Sequence, residues 1–83
     1  MDYMHRRDAD IATTGRTIAH YCSLNHLSIP ELAELLRCSQ QAVRSWLRGE
    51  CLPTAKHLEA LAEAFGVYVE DIICFRDPET EVR

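Results

Sequence analysis

SIPELAELLRCSQQAVRSWLRG, residues 28–49, has the features of two short helices joined by a tight turn. Ser28 and Glu31 have the S-x-x-E spacing of a capping box, in which each side chain bonds the backbone N–H of the other residue. Ser39 is a second N-cap candidate, and Gly49 is a suitable C-terminal stop. This stretch therefore predicts a helix, a short turn and a second helix.

Both predicted helices have one apolar and one polar face. The apolar positions, at helical spacing, are Leu32, Ala33, Leu35 and Leu36 in one helix and Val43, Trp46 and Leu47 in the other. The polar face of the second helix carries Gln40, Gln41, Arg44, Ser45 and Arg48. Glutamine can form two hydrogen bonds with adenine, and arginine can form two with guanine. The second helix therefore has the composition of a helix that reads DNA bases.

Length and composition limit the chain to one small folded domain. Its 83 residues cannot build two cores, and 47% hydrophobic with 27% charged residues is typical of a folded protein. Nothing in it approaches the roughly 18–20 consecutive apolar residues of a membrane span. The first ten residues lack the apolar core of a secretory signal. We therefore expect a cytoplasmic protein with no membrane partner.

The cysteines do not form a metal-binding pattern. They are widely spaced, at Cys22, Cys38, Cys51 and Cys74, with no C-x2-C pair. Zinc sites usually need such pairs, and disulfides need an oxidising compartment. We therefore expect no metal, no cofactor and no disulfide, and we interpret the thiols as small buried hydrophobic groups.

The net charge of −4 is unevenly distributed along the chain. Residues 1–27 hold three acids and three arginines, residues 28–53 again hold three of each, and residues 54–83 hold seven acids and three bases. The excess acid thus lies after the predicted base-reading helix. DNA binding is compatible with this distribution, but its phosphate-driven component should be modest.

The rest of the chain predicts three further helices and two polar ends. Thr13 or Thr14 can cap a first helix to about Asn25, and Thr54 can cap a fourth that ends before Gly66. We expect a flexible arm over 1–12, a domain over 13–76 and a polar tail over 77–83. The fifth and shortest helix carries the apolar residues Val69, Ile72, Ile73 and Phe75. These either seal the monomer core or form a homodimer contact.

Taken in order, these motifs resemble the Cro/phage-repressor type of helix-turn-helix, also called the XRE family. The resemblance covers roughly residues 15–75. It rests on Ser-x-x-Glu-Leu-Ala at 28–33, Ser-Gln-Gln-Ala-Val at 39–43, Trp46, Gly49, Pro53 and Phe65-Gly66-Val67. It implies an all-α fold, a compact five-helix lambda-repressor-like domain with a helix-turn-helix. The third helix would enter the major groove, often in a dimer on a near-palindromic operator.

The site residues follow from this resemblance together with the chemistry of the side chains. Base contacts are expected from the N-terminal part of the third helix, at Gln40, Gln41, Arg44 and Ser45. Phosphate contacts are expected from Arg48 and from the helix N-termini at Ser28, Ser39 and Thr54.

Three departures from the family pattern change these expectations. Arg37 stands in the interhelical turn where the family usually has glycine, often with a left-handed backbone. Cys22 and Leu47 replace an Arg–Glu ion pair, so we predict a packed apolar contact between them. Ile29 and Glu50 stand where many members have residues that contact phosphate.

The sequence leaves two functions open. One is a sequence-specific DNA-binding transcriptional regulator. The other is a protein–protein interaction module that keeps the helix-turn-helix fold with weak or no DNA binding. An enzyme is not expected, because the chain has no glycine-rich phosphate loop and little room for a substrate pocket.

Overall fold

The computed structural model describes residues 10–75. Its helices are α1 (Ile11–Leu24), α2 (Ile29–Leu36), α3 (Gln40–Leu47) and α4 (Ala55–Phe65), followed by a 3-10 turn at Val69–Asp71. The predicted all-α helix-turn-helix fold is confirmed. The predicted arm and tail lie largely outside the described residues, except that residues 10–12 form the cap and first turn of α1.

A side-chain cap begins each of the four helices. The predicted capping box on α2 is present, with Ser28 N–H donating to Glu31 Oε1 at 2.8 Å and Glu31 N–H donating to Ser28 Oγ at 3.3 Å. Ser39 and Thr54 cap α3 and α4 as predicted. These bonds satisfy backbone donors that have no partner within the helix.

The predicted cap on the first helix was wrong. Asp10, rather than Thr13 or Thr14, caps α1. Its carboxylate accepts the Thr13 N–H at 3.1 Å and the Thr13 hydroxyl at 2.8 Å. The carboxyl group can accept both bonds from Thr13 at once, so the helix begins two residues before Thr13.

Each helix also ends in the same way, with a left-handed residue that closes a Schellman motif. At the end of α2, Cys38 N–H donates to Ala33 O at 3.0 Å and Arg37 N–H donates to Glu34 O at 3.2 Å. The equivalent pair of bonds closes α1, α3 and α4. The left-handed residues are His26, Arg37, Gly49 and Gly66. Arg37 therefore adopts the conformation for which the family uses glycine.

The core fills the space between α1 and the helix pair α2–α3, with α4 packed against α2. Its fully buried aliphatic side chains are Ile18, Leu32, Val43, Leu61 and Ile72. Gly15 lets α1 approach the end of α3, because a Cβ at Gly15 would overlap the carbonyl oxygen of Trp46. This close approach fixes α3 against the rest of the domain.

The predicted fifth helix is reduced to one 3-10 turn over Val69–Asp71. The chain then leaves the helical path because its backbone bonds to α1. Asp10 N–H donates to Cys74 O at 2.7 Å, and Cys74 N–H donates to the buried Thr14 hydroxyl at 2.9 Å. Residues 72–75 therefore lie across the start of α1 and form a short C-terminal strap.

Candidate nucleic-acid interface

α3 presents its polar face to solvent, as predicted. Val43 and Trp46 are buried, which orients the helix and leaves Gln40, Gln41, Arg44 and Arg48 exposed on the other side. Ser45 is half-buried at the edge of this face, so its short side chain is less accessible than its neighbours. Four of the five predicted contact residues of α3 thus share an accessible surface.

Two of these side chains are joined to each other. Arg44 Nη2 donates to Gln40 Oε1 at 3.2 Å, a contact between residues one helical turn apart. No other side-chain partner of Arg44 occurs among residues 10–75. The partner is a neutral amide, so the positive charge of Arg44 is not neutralised.

Arg48 has a different partner. Its Nε lies 3.3 Å from Glu50 Oε2, and both side chains are about half exposed. The Schellman turn at Gly49 brings the two residues together. Sequence reasoning identified Glu50 as a lost phosphate contact but missed this ion pair, because the pairing depends on the turn between the two residues. Glu50 therefore competes with phosphate for Arg48.

The N-terminus of α2 is poorly suited to a phosphate. Ser28, a predicted phosphate contact, gives its N–H to Glu31 and its hydroxyl oxygen accepts from the Glu31 N–H. These bonds lower the pKa of the Glu31 carboxyl, so it is ionised at neutral pH. Pro30 has no N–H, which leaves Ile29 as the donor available in the first turn. The helix end thus already holds a carboxylate.

The N-termini of α3 and α4 carry no such acid. The Ser39 hydroxyl accepts the Ala42 N–H at 3.0 Å, and the N–H groups of the exposed Gln40 and Gln41 occupy the first turn. The Thr54 hydroxyl oxygen accepts the His57 N–H at 3.2 Å. Positive helix dipoles with hydroxyl caps favour anions at these two ends.

The thiols differ in burial, which corrects one expectation. Cys22 is buried, Cys38 and Cys74 are half-buried, and Cys51 is exposed. Burial raises the pKa of the Cys22 and Cys38 thiols, which are therefore neutral at pH 7. The interpretation as buried hydrophobic groups holds for Cys22 and is wrong for Cys51, which lies in the loop after Gly49.

Over residues 10–75 no helix has the length and apolar character to cross a bilayer. Within the same residues no three or more His, Cys, Asp or Glu side chains are grouped where they could hold a metal ion.

Known proteins are similar to this chain in sequence and in fold. Residues 24–72 match the family described as helix-turn-helix. The chain belongs to the helix-turn-helix family of the Cro/phage-repressor (XRE) type. An uncharacterized HTH-type transcriptional regulator of Methanocaldococcus jannaschii is 32% identical to it over 62 residues, which cover 75% of this chain and 94% of that protein.

Solved structures of regulators have the same helix-turn-helix fold. The restriction-modification controller protein C.AhdI of Aeromonas hydrophila superposes with a TM-score of 0.70 at 21% identity, over 76% of this chain and 96% of that one. The clp gene regulator ClgR of Corynebacterium glutamicum gives 0.69 at 23% identity, over 74% and 65%. At these identities the likeness is one of fold. Individual base and phosphate contacts of this helix-turn-helix domain, and direct contact between Cys22 and Leu47, stay predictions.

Proposed function

We propose that the protein is a sequence-specific DNA-binding transcriptional regulator that inserts α3 into the major groove. The observation that carries this proposal is the exposed α3 face, with two glutamines, two arginines and no acid between residues 38 and 48. The M. jannaschii relative, called an HTH-type transcriptional regulator, supports the same function. Regulation would be steric, since a protein in the groove blocks or recruits polymerase. The protein would act in the cytoplasm and would need no catalytic activity.

The proposed contacts divide into two kinds. Of the predicted base contacts, Gln41 and Arg44 would bond adenine and guanine edges, and the half-buried Ser45 lies at the margin of the same face. Arg48, Ser39 and Thr54 would bind phosphates, and such contacts position the protein without reading sequence. Ser28 contributes less than we expected, because Glu31 occupies its helix end.

Salt and mutation together test this proposal. Binding to a selected duplex should weaken with salt, with a log–log slope of about −0.9 per phosphate contact. Gln41→Ala should relax preference at one base pair, whereas Arg48→Ala should weaken all sequences alike and reduce the slope by about 1. Fluorescence anisotropy over a salt series measures both. Equal binding to every duplex by the unsubstituted protein would contradict sequence-specific recognition.

We also propose a homodimer through the 3-10 turn and the C-terminal strap, with Val69, Ile73 and Phe75 in the contact. Ile72, which we had included, is fully buried in the monomer and cannot take part. Phe75 is 51% exposed and the nearby Tyr68 is 77% exposed, so apolar surface remains outside the core. Light scattering should give a mass that rises from 9.5 kDa towards twice that value with concentration. Ile73→Glu should hold it at the monomer mass, and a constant monomer mass for the unsubstituted protein would contradict the dimer.

One surface favours the alternative function, a protein–protein interaction module. Leu27, Glu31, Glu34 and Leu35 line an open groove of about 440 Å³ on the outer side of α2, and Leu35 is 58% exposed. A module of this kind would use the groove and leave α3 unused. The DNA titration separates the two functions, because the module predicts weak or no binding to DNA and no preference among duplexes.

A further inference from the structure

The two glutamines at the start of α3 have the same chemistry but different surroundings. The Gln40 side-chain oxygen accepts a hydrogen bond from Arg44 Nη2 at 3.2 Å. Gln41 is exposed and has no side-chain partner among residues 10–75. Gln41 is therefore free to present both its amide oxygen and its amide nitrogen, whereas one lone pair of the Gln40 oxygen already accepts from Arg44.

We infer that Gln40 does not read a base itself but positions the guanidinium of Arg44 for a guanine. This inference rests on the proposed DNA-binding function and assigns roles within that site. An adenine contact by glutamine needs the amide oxygen to accept from N6 and the amide nitrogen to donate to N7. In Gln40 the bond directs that oxygen towards Arg44, so we assign the adenine contact to Gln41.

The chemistry of arginine makes this division possible. A guanidinium has five N–H donors and no acceptor, so one bond to Gln40 leaves enough donors for O6 and N7 of guanine. The bond also limits the rotamers of a long flexible side chain, which reduces the ordering needed on binding. Because Gln40 is neutral, it orients Arg44 without cancelling the charge, unlike the carboxylate of Glu50 beside Arg48.

A double-mutant cycle tests whether Gln40 acts through Arg44. Base preferences are first obtained by selection from a randomised duplex pool, and affinities for single-base variants of the selected site are then measured by anisotropy. Gln40→Ala should reduce the guanine preference at the Arg44 position about three- to tenfold and leave other positions unchanged. In an Arg44→Ala background the same substitution should have no further effect on base preference, because coupled residues are non-additive.

A conservative substitution separates positioning from base reading. Gln40→Glu keeps an oxygen acceptor for Arg44 but removes the amide donor that adenine N7 would need. It should restore the guanine preference lost in Gln40→Ala, although the added negative charge lowers affinity for all duplexes together. The matched change Gln41→Glu should abolish an adenine preference.

Two results would overturn the inference, and they differ from a failure of the function itself. One is loss of an adenine preference on Gln40→Ala. The other is an undiminished effect of Gln40→Ala in the Arg44→Ala background. If the unsubstituted protein binds no duplex at all, both this inference and the proposed function are wrong.

Discussion

α3 and α4 follow the same local rules and expose different chemistry. Each begins at a hydroxyl cap, Ser39 or Thr54, and each ends at a left-handed glycine, Gly49 or Gly66. Each buries one apolar stripe, which includes Trp46 in α3 and Leu61, Phe65 and neighbouring residues in α4. Caps, stripe and stop are therefore sufficient to define a helix, whatever residues its exposed face carries.

The exposed faces separate the two helices. The α3 face holds arginines and glutamines without an acid, while the α4 face exposes Glu59 and Glu63 with Lys56 at its start. A surface of the first kind attracts phosphates and can bond base edges, and one of the second kind repels phosphates. The comparison shows that function depends on those helix positions that folding leaves unconstrained.

The largest expected effect is on stability, at Gly49 and Gly66, the glycines that end α3 and α4. A Cβ at Gly49 would lie 3.1 Å from the Ala12 Cα, whereas a Cβ at Gly66 has no atom within 4 Å. Gly66→Ala should lower the free energy of unfolding by about 1 kcal/mol, because alanine is strained in a left-handed backbone. Gly49→Ala should lower it by about 2–4 kcal/mol, because overpacking against α1 adds to that strain. Chemical denaturation of both variants measures the difference. Equal losses would show that α1 does not press on the end of α3.

A smaller effect on stability is expected at the end of α2, where the left-handed residue is not glycine. Arg37 has φ 57° and ψ 48° at the end of α2. Arg37→Gly should raise the free energy of unfolding by about 0.5–1 kcal/mol, since removing the backbone strain outweighs the added freedom of the unfolded chain. Arg37→Ala is the control and should change little, because alanine keeps the strain. A gain with alanine as large as with glycine would assign the effect to the arginine side chain.

The smallest expected effect concerns the carboxylate beside Arg48. Glu50→Gln removes the ion pair at 3.3 Å and should tighten binding to every duplex by a few-fold, because phosphate no longer competes with a carboxylate for Arg48. The free energy of unfolding should change by less than about 1 kcal/mol, because the pair is half exposed. Glu63→Gln on α4 removes the same charge and should give a smaller gain. An equal gain from both would mean that net charge, rather than Arg48, sets the affinity.

The parts of this molecule that the sequence predicted correctly are those determined by neighbours along the chain. The Ser28–Glu31 box, the Ser39 cap and the stops at Gly49 and Gly66 each depend on residues within six positions. The short fifth element could not be predicted in this way, because Cys74 bonds to Thr14, 60 residues away.

The candidate site was predicted to a similar extent. The exposed face of α3 followed from helical periodicity, whereas the partners of its arginines did not. The Gln40–Arg44 spacing was visible in the sequence, but the bond depends on which rotamers the two side chains adopt. The Arg48–Glu50 pair needed the left-handed turn at Gly49. Which side chains pair across a turn depends on the path of the backbone, and the local sequence pattern does not determine that path.

The central claim, that α3 rather than α4 enters the major groove, is tested most directly by an NMR titration of the amide groups. The labelled protein is titrated with mixed-sequence duplexes at low salt, and the amides of residues 39–48 are compared with those of 57–65. Shifts concentrated in residues 39–48 that diminish as salt is added are the predicted result. Unmoved amides over 39–48, or larger shifts over 57–65, would contradict it.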